Sequence, residues 1–131
     1  MPRSEHVCRF WFQAFTMRSF VSCRPSFLER LELDGYCKAH ELAFEYQGIQ
    51  HYQYVPFMHK TKHEFKLQKE RDDRKKLLCK RHGVYLIDVP YWYNFHDSKR
   101  MSVFIYEALR EAERFRRSKY IVGNVITPPL F

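Results

Sequence analysis

Glycine is scarce in this chain: four residues of 131, none of them clustered. A phosphate loop needs several glycines close together so that the backbone can wrap an anion, which excludes P-loop and doubly wound dinucleotide-binding architectures. Cys8, Cys23, Cys37 and Cys79 are scattered, with no Cys-x-x-Cys pair among them. With no secretory signal ahead of them they read as reduced thiols of an intracellular protein, nucleus and cytoplasm both remaining open. Cys37-x-x-His40 and His59-xxx-His63 each offer half of a zinc site, but neither has a partner pair to complete four ligands. No apolar run approaches membrane-spanning length, so no membrane is expected among the partners. Internal repeats and low-complexity segments are also missing.

What the chain has in quantity is positive charge and aromatic side chains. Lysine and arginine outnumber the acids 23 to 15, a formal charge of +8. A small basic domain usually meets a polyanion, and nucleic acid is favoured over a membrane surface because the apolar residues fall in packing patterns. Twelve Phe, nine Tyr and two Trp supply a core despite the charge. The length suits one domain, residues 1–131.

Ser4 is a plausible N-cap, and Val7, Phe10, Trp11, Ala14 and Phe15 follow at helical spacing, predicting an amphipathic helix over 5–18 with Gln13 off its stripe. Phe20 to Phe27 reads as a connector, because Pro25 discourages helix across Arg24. Leu31 to Tyr36 and Leu42 to Gln47 alternate as two strands of a hairpin, and Gln50 to Val55 suits a third strand stopping near Pro56. Thr61 to Arg81 lacks Gly and Pro and predicts a helix ending at Gly83. On it Gln68, Asp72, Lys75 and Cys79 share one stripe with Arg71 alongside: either a solvent face or the wall of a phosphate-bearing cleft flanked by Leu67, Leu77 and Leu78. Val84 to Val89 predicts a buried strand ended by Pro90. Tyr91, Trp92 and Tyr93 are either a lid or a base-stacking surface. From Ser98, Met101, Ile105, Ala108, Leu109, Ala112 and Phe115 trace an apolar helical stripe. The cations of that helix include Arg110, Arg114 and Arg117, placed for phosphate-backbone contact. The tail from Tyr120 to Phe131 has no readable period. The predicted order is helix, three strands, helix, strand, then an added C-terminal helix, an α/β fold with a hairpin-rich sheet.

Alternation puts Glu45 and Gln47 on one face of the second strand, and the hairpin can bring Asp34 beside them. Two carboxylates and an amide on one patch make a candidate cation site, whereas each acid alone would more commonly be a turn or surface residue. Glu29, Glu32 and Asp88 read as surface or strand-end residues.

The segments Leu33-Asp34-Gly35-Tyr36, Phe44-Glu45-Tyr46-Gln47-Gly48-Ile49-Gln50-His51, Arg71-Asp72 and Gly83-Val84-Tyr85-Leu86-Ile87 occur in that order. This pattern resembles the PD-(D/E)XK nuclease superfamily, in particular the branch around very-short-patch-repair endonucleases and small restriction-endonuclease-like relatives. The resemblance covers about residues 5–92, leaving the basic helix and tail over 98–131 outside it. It implies a restriction-endonuclease-like core and a Mg2+-dependent DNA endonuclease, with Mn2+ as a substitute. Asp34 and Glu45 would be the metal ligands, and Gln47 would stand where lysine is common. An amide orients water but cannot take its proton, so His51, which titrates near neutrality, becomes the candidate general base. Gln68, Arg71 and Lys75 would bind the nucleic acid. Relatives often bring a glutamate from the first helix to the metal, where this chain has Gln13. These departures keep a second class open: a nucleic-acid-binding protein that retains the fold with weakened catalysis. A third is an interaction module whose basic helix binds an acidic protein. Expected partners are duplex or branched DNA, with a homodimer as one way to cut both strands.

Overall fold

A computed structural model describes the backbone of residues 3–123 and the side chains of residues 3–118. The chain divides into two compact units, residues 20–92 and residues 1–19 with 93–131. Its class is mixed α/β, with a four-stranded sheet and three α-helices among the described residues.

The sheet lies in the first of these units. Its strands are β1 (Val21–Cys23), β2 (Leu33–Cys37), β3 (Leu42–Gln47) and β4 (Tyr85–Pro90), side by side in that order. β1 with β2 and β2 with β3 are antiparallel, whereas β4 runs parallel to β3. A parallel neighbour requires a crossover, and α2 (Lys62–Arg81) supplies it. Thr61 caps α2 by accepting from the Glu64 N–H at 3.1 Å, while the Glu64 carboxylate accepts from the Lys60 N–H at 2.8 Å. The helix stops at Gly83, whose φ of 73° lets the Val84 N–H reach back to the Cys79 carbonyl at 2.8 Å.

Two expectations about strands are corrected here. Gln50 to Val55 is not a strand: Ile49–His51 forms a single helical turn after Gly48. Alternation was present in the sequence, but β3 already has β2 on one side and β4 on the other, so no ladder edge remains for a third partner. Conversely, Val21–Cys23 does pair with β2, as a short edge strand that Pro25 ends rather than forbids.

Beneath the sheet, Leu28, Leu33, Ala43, Leu78, Cys79 and Val84 form a buried cluster. On α2 the inward face is Gln68, Asp72, Lys75, Leu78 and Cys79, whereas Leu67 and Leu77 are exposed rather than anchoring the flanks. Gly35 lies opposite Phe44, and the ring of that fully buried Phe occupies the space a Cβ would take.

In the second unit α1 (Arg3–Thr16) packs with α3 (Ser98–Gly123). The buried row of α1 is Ser4, Cys8, Phe12 and Thr16; of the expected stripe, Phe10 and Ala14 are exposed and Val7, Trp11 and Phe15 flank the row. The period was correct and the face was rotated, because bulky aromatics can cover a contact from its sides. Facing that row, Met101, Ile105, Leu109 and Ala112 of α3 are buried, while Phe115 is exposed. The Cys8 Sγ lies 3.7 Å from the Met101 Sδ. Asp97 rather than Ser98 caps α3, accepting from the Arg100 N–H at 3.0 Å, and the Ser98 hydroxyl accepts from the Trp11 indole N–H at 3.0 Å.

Gly35→Ala should destabilise the protein by roughly 2–3 kcal/mol in urea unfolding, since the Phe44 ring must leave its seat to admit a methyl group. A variant as stable as the parent would show that the ring has room to shift.

Candidate active site

The regular pairing of β2 with β3 runs from Cys37–Leu42 to Gly35–Phe44. One step further along the same register come Asp34 and Glu45, and there side chains replace the backbone ladder. The Tyr46 N–H donates to the Asp34 Oδ2 at 2.8 Å, and the Asp34 N–H donates to the Glu45 Oε2 at 3.1 Å. Each acid thus satisfies a backbone donor that the parting strands would otherwise leave open. The two carboxyl groups are brought within hydrogen-bonding reach of each other. Glu45 is buried, 5% exposed, because β3 is covered on both faces.

Lys75 reaches down from α2 to pair with the Glu45 Oε1. Its ammonium is here the counter-charge of the acid pair. That counter-charge is not sufficient. Burial, and then the negative charge of Asp34, push the Glu45 carboxyl up to about 8 against the pull of Lys75. Glu45 is thus buried beside the half-buried Asp34 with one lysine between two acids.

Gln47 is buried on the same face of β3 as Glu45, its side-chain N–H donating to the Asp88 Oδ1 at 3.1 Å. That bond fixes the amide orientation and leaves the Gln47 Oε1 buried with no hydrogen-bond partner. Asp88 stands level with Glu45 in β4 and also meets the Lys76 ammonium at 3.3 Å. Reading it as a strand-end residue missed this role. Its alternation with Leu86 put it on the site face, but only the parallel register of β4 on β3 shows which residue it lies beside.

His51 sits on the helical turn after β3, where its carbonyl accepts from the Lys69 ammonium at 2.8 Å. Its Nδ1 lies 2.8 Å from the Asp72 Oδ2. A carboxylate only accepts, so Nδ1 carries the proton and Nε2 of the neutral ring keeps its lone pair. Asp72 and Lys75 are three residues apart on one face of α2, so His51 and Glu45 are both met from that face of the helix. Gln68, one turn before Asp72, bonds His59 at 2.6 Å and lies 3.4 Å from His51. Together with Arg71 it lines a cleft of about 630 Å³.

The remaining expected contacts are distributed differently. Arg110 packs over the Tyr106 ring, Arg114 pairs with Glu111 at 3.7 Å and Arg117 with Glu113 at 2.7 Å, all along α3 in the other unit. Tyr91 and Trp92 cluster with Tyr52, at centroid distances of 5.6 and 5.3 Å. Tyr93 stacks on Phe104 at 4.4 Å. Glu29 and Glu32 form surface pairs with Arg74 and Arg24. Among the described residues no three His, Cys, Asp or Glu side chains group to hold a metal ion. His59 is instead buried in hydrogen bonds to Val55 and Gln68. No helix among the described residues is long and apolar enough to cross a membrane.

The chain is similar to three viral proteins. It is 39% identical over 83 residues to the uncharacterized protein 307L of Invertebrate iridescent virus 6, covering 55% of this chain and 42% of that protein. It is 38% identical over 96 residues to the uncharacterized protein 094L of Frog virus 3, covering 68% and 62%. The uncharacterized protein 033L of Invertebrate iridescent virus 3 is 33% identical over 114 residues, covering 82% and 57%. The chain therefore spans about half the length of the curated relatives it matches. No family model matches it, and neither does any solved structure.

The raised Glu45 carboxyl makes stability depend on pH. Between its unfolded value near 4.5 and about 8 the unfolded state ionises while the folded state keeps the proton. Without divalent cations, stability should therefore fall as pH rises through that window, by on the order of 2–4 kcal/mol. Glu45→Gln should flatten this slope and be the more stable protein at pH 8. Urea unfolding in chelator at pH 5, 6.5 and 8 checks this, and a slope that survives in the variant would refute it.

Proposed function

We propose that the fork between β2 and β3 is the active site of a Mg2+-dependent DNA endonuclease with a restriction-endonuclease-like core. One observation carries the reading: the buried Glu45, the half-buried Asp34 and the orphaned amide oxygen of Gln47 stand together on the sheet of a chain with charge +8. The two acids serve backbone donors where the strands part, but that service does not require carboxylates, and Asp34 opposes the ionisation of Glu45. The donor set suits magnesium, which takes one or two carboxylates and fills its shell with phosphate and water. Asp34 and Glu45 would hold the ion, with the Gln47 Oε1 as a further oxygen facing it or its water. Bound there, a divalent ion would neutralise charge developing on the phosphate oxygens and acidify a coordinated water.

The chain's own residues account for the rest of the reaction. Gln47, fixed by Asp88, orients water through its amide oxygen. His51, held by Asp72, takes the water proton on Nε2 as the water oxygen bonds to phosphorus. The phosphorus bond to the leaving oxygen breaks in line, and that oxygen takes a proton from solvent. Lys75, paired with Glu45 in this structure, would be free to meet phosphate were a cation to take its place, a task for which Gln47 has no basic nitrogen. Arg71 stands along the cleft to meet the backbone of the strand.

A second reading, a DNA-binding protein of the same fold with weakened catalysis, is favoured by Gln47 and Gln13, and the same assay separates the two. Supercoiled plasmid should be nicked with Mg2+ or Mn2+ and not in chelator. Asp34→Asn should lower the rate by about 100-fold or more, with folding intact by circular dichroism. Salt-dependent DNA binding without metal-dependent nicking would favour the second reading, and the absence of both would remove each.

A further inference from the structure

We propose that His59, acting through Gln68, is a positioning residue that holds the His51 ring in its base-competent orientation. The role of His51 rests on the nuclease reading above, but the orientation of its ring does not. His59 is among the few buried polar side chains, 4% exposed, and no step of the reaction uses it. Its Nδ1 accepts from the Val55 N–H at 3.1 Å. A backbone N–H only donates, so the neutral ring carries its proton on Nε2. That Nε2 lies 2.6 Å from the Gln68 Oε1, which must therefore be the acceptor. The Gln68 side chain is thereby fixed with its oxygen toward His59 and its NH2 toward His51. There the amide nitrogen is 3.4 Å from both ring nitrogens. Equal distances mean that the amide braces the ring rather than occupying either nitrogen. Asp72 fixes the opposite side at 2.8 Å.

The chain of partners thus runs Val55 N–H, His59, Gln68, His51, Asp72, and every proton in it is assigned by the backbone donor at one end and the carboxylate at the other. Asp72 alone would tolerate rotation of the His51 ring about its hydrogen bond. The Gln68 amide restricts that rotation, and it can do so only while His59 donates to its oxygen. Were the Gln68 amide turned over, its oxygen would face His51 and compete for the ring proton that Asp72 holds.

The test uses the full chain with 15N-labelled histidine and two substitutions that divide the functions of the ring. His59→Gln keeps an amide N–H within reach of Gln68, whereas His59→Asn keeps only an acceptor for Val55. Gln68→Leu breaks the link from the other side and guards against a folding defect at position 59. In the parent, ring 15N shifts should show His51 protonated on Nδ1 and His59 on Nε2. In His59→Asn and in Gln68→Leu, Nδ1 of His51 should stay protonated against Asp72 while the ring resonances shift and broaden as the ring samples more than one orientation, and kcat for nicking should fall about tenfold with KM little changed. His59→Gln should keep kcat within about threefold of the parent. Unchanged His51 shifts in His59→Asn and Gln68→Leu would overturn the proposal, as would an equal loss in His59→Gln and His59→Asn. If no variant or parent nicks DNA, the nuclease reading fails while the His51 shifts still decide the positioning role.

Discussion

Where β2 parts from β3, two backbone N–H groups lose their ladder partners, and the side chains of Asp34 and Glu45 take them up. This local requirement pins both carboxylates in place, and the other features of the site follow from it. The acids must lie close because the donors they serve are on adjoining strands. Glu45 is buried because β3 is covered on both faces, whereas Asp34 on β2 is half-buried. Closeness and burial together make Glu45 hard to ionise. The fork is thus a place where satisfied backbone geometry is obtained at the cost of unfavourable electrostatics at Glu45.

Helix α2 is the complement of that arrangement. A helix lying on a sheet normally presents an apolar stripe, but the inward face of α2 is polar over Gln68, Asp72 and Lys75 and apolar at its ends, at Phe65 and at Leu78 and Cys79. Each polar residue on it has a partner on or just after β3: Lys75 with Glu45, Asp72 with His51, and Gln68 with His51 and His59. Removing one member of such a buried set leaves the other uncompensated, which typically costs about 3–5 kcal/mol for an ion pair. The same row that lines the site therefore also docks the crossover helix onto the sheet.

Much of this was legible in the sequence, and the failures have physical causes. The extent of α2 followed from composition and from the Thr61 and Gly83 signals, and its polar stripe from helical spacing. The meeting of Asp34 with Glu45 followed from strand alternation across a hairpin. Gln50 to Val55 misled because alternation records only a residue's side and not whether a ladder edge is free to receive it. Asp88 was missed because a parallel register is set by a crossover of variable length. The role of Lys75 could not be separated from phosphate binding, since a cation facing a polar cleft has the same sequence signature in either case. The buried faces of α1 and α3 were found in period but shifted at Phe10, Ala14 and Phe115, where aromatic and small residues contribute little to decide the rotation of a helix.

The central claim is that Asp34 and Glu45 share one divalent cation, and the most direct measurement is anomalous diffraction from crystals grown with Mn2+. The account predicts a single strong peak at the fork, within about 2.5 Å of a carboxylate oxygen from each residue, with the Lys75 ammonium moved away from Glu45. A Mn2+-soaked crystal with no peak there, and Lys75 still paired with Glu45, would contradict it.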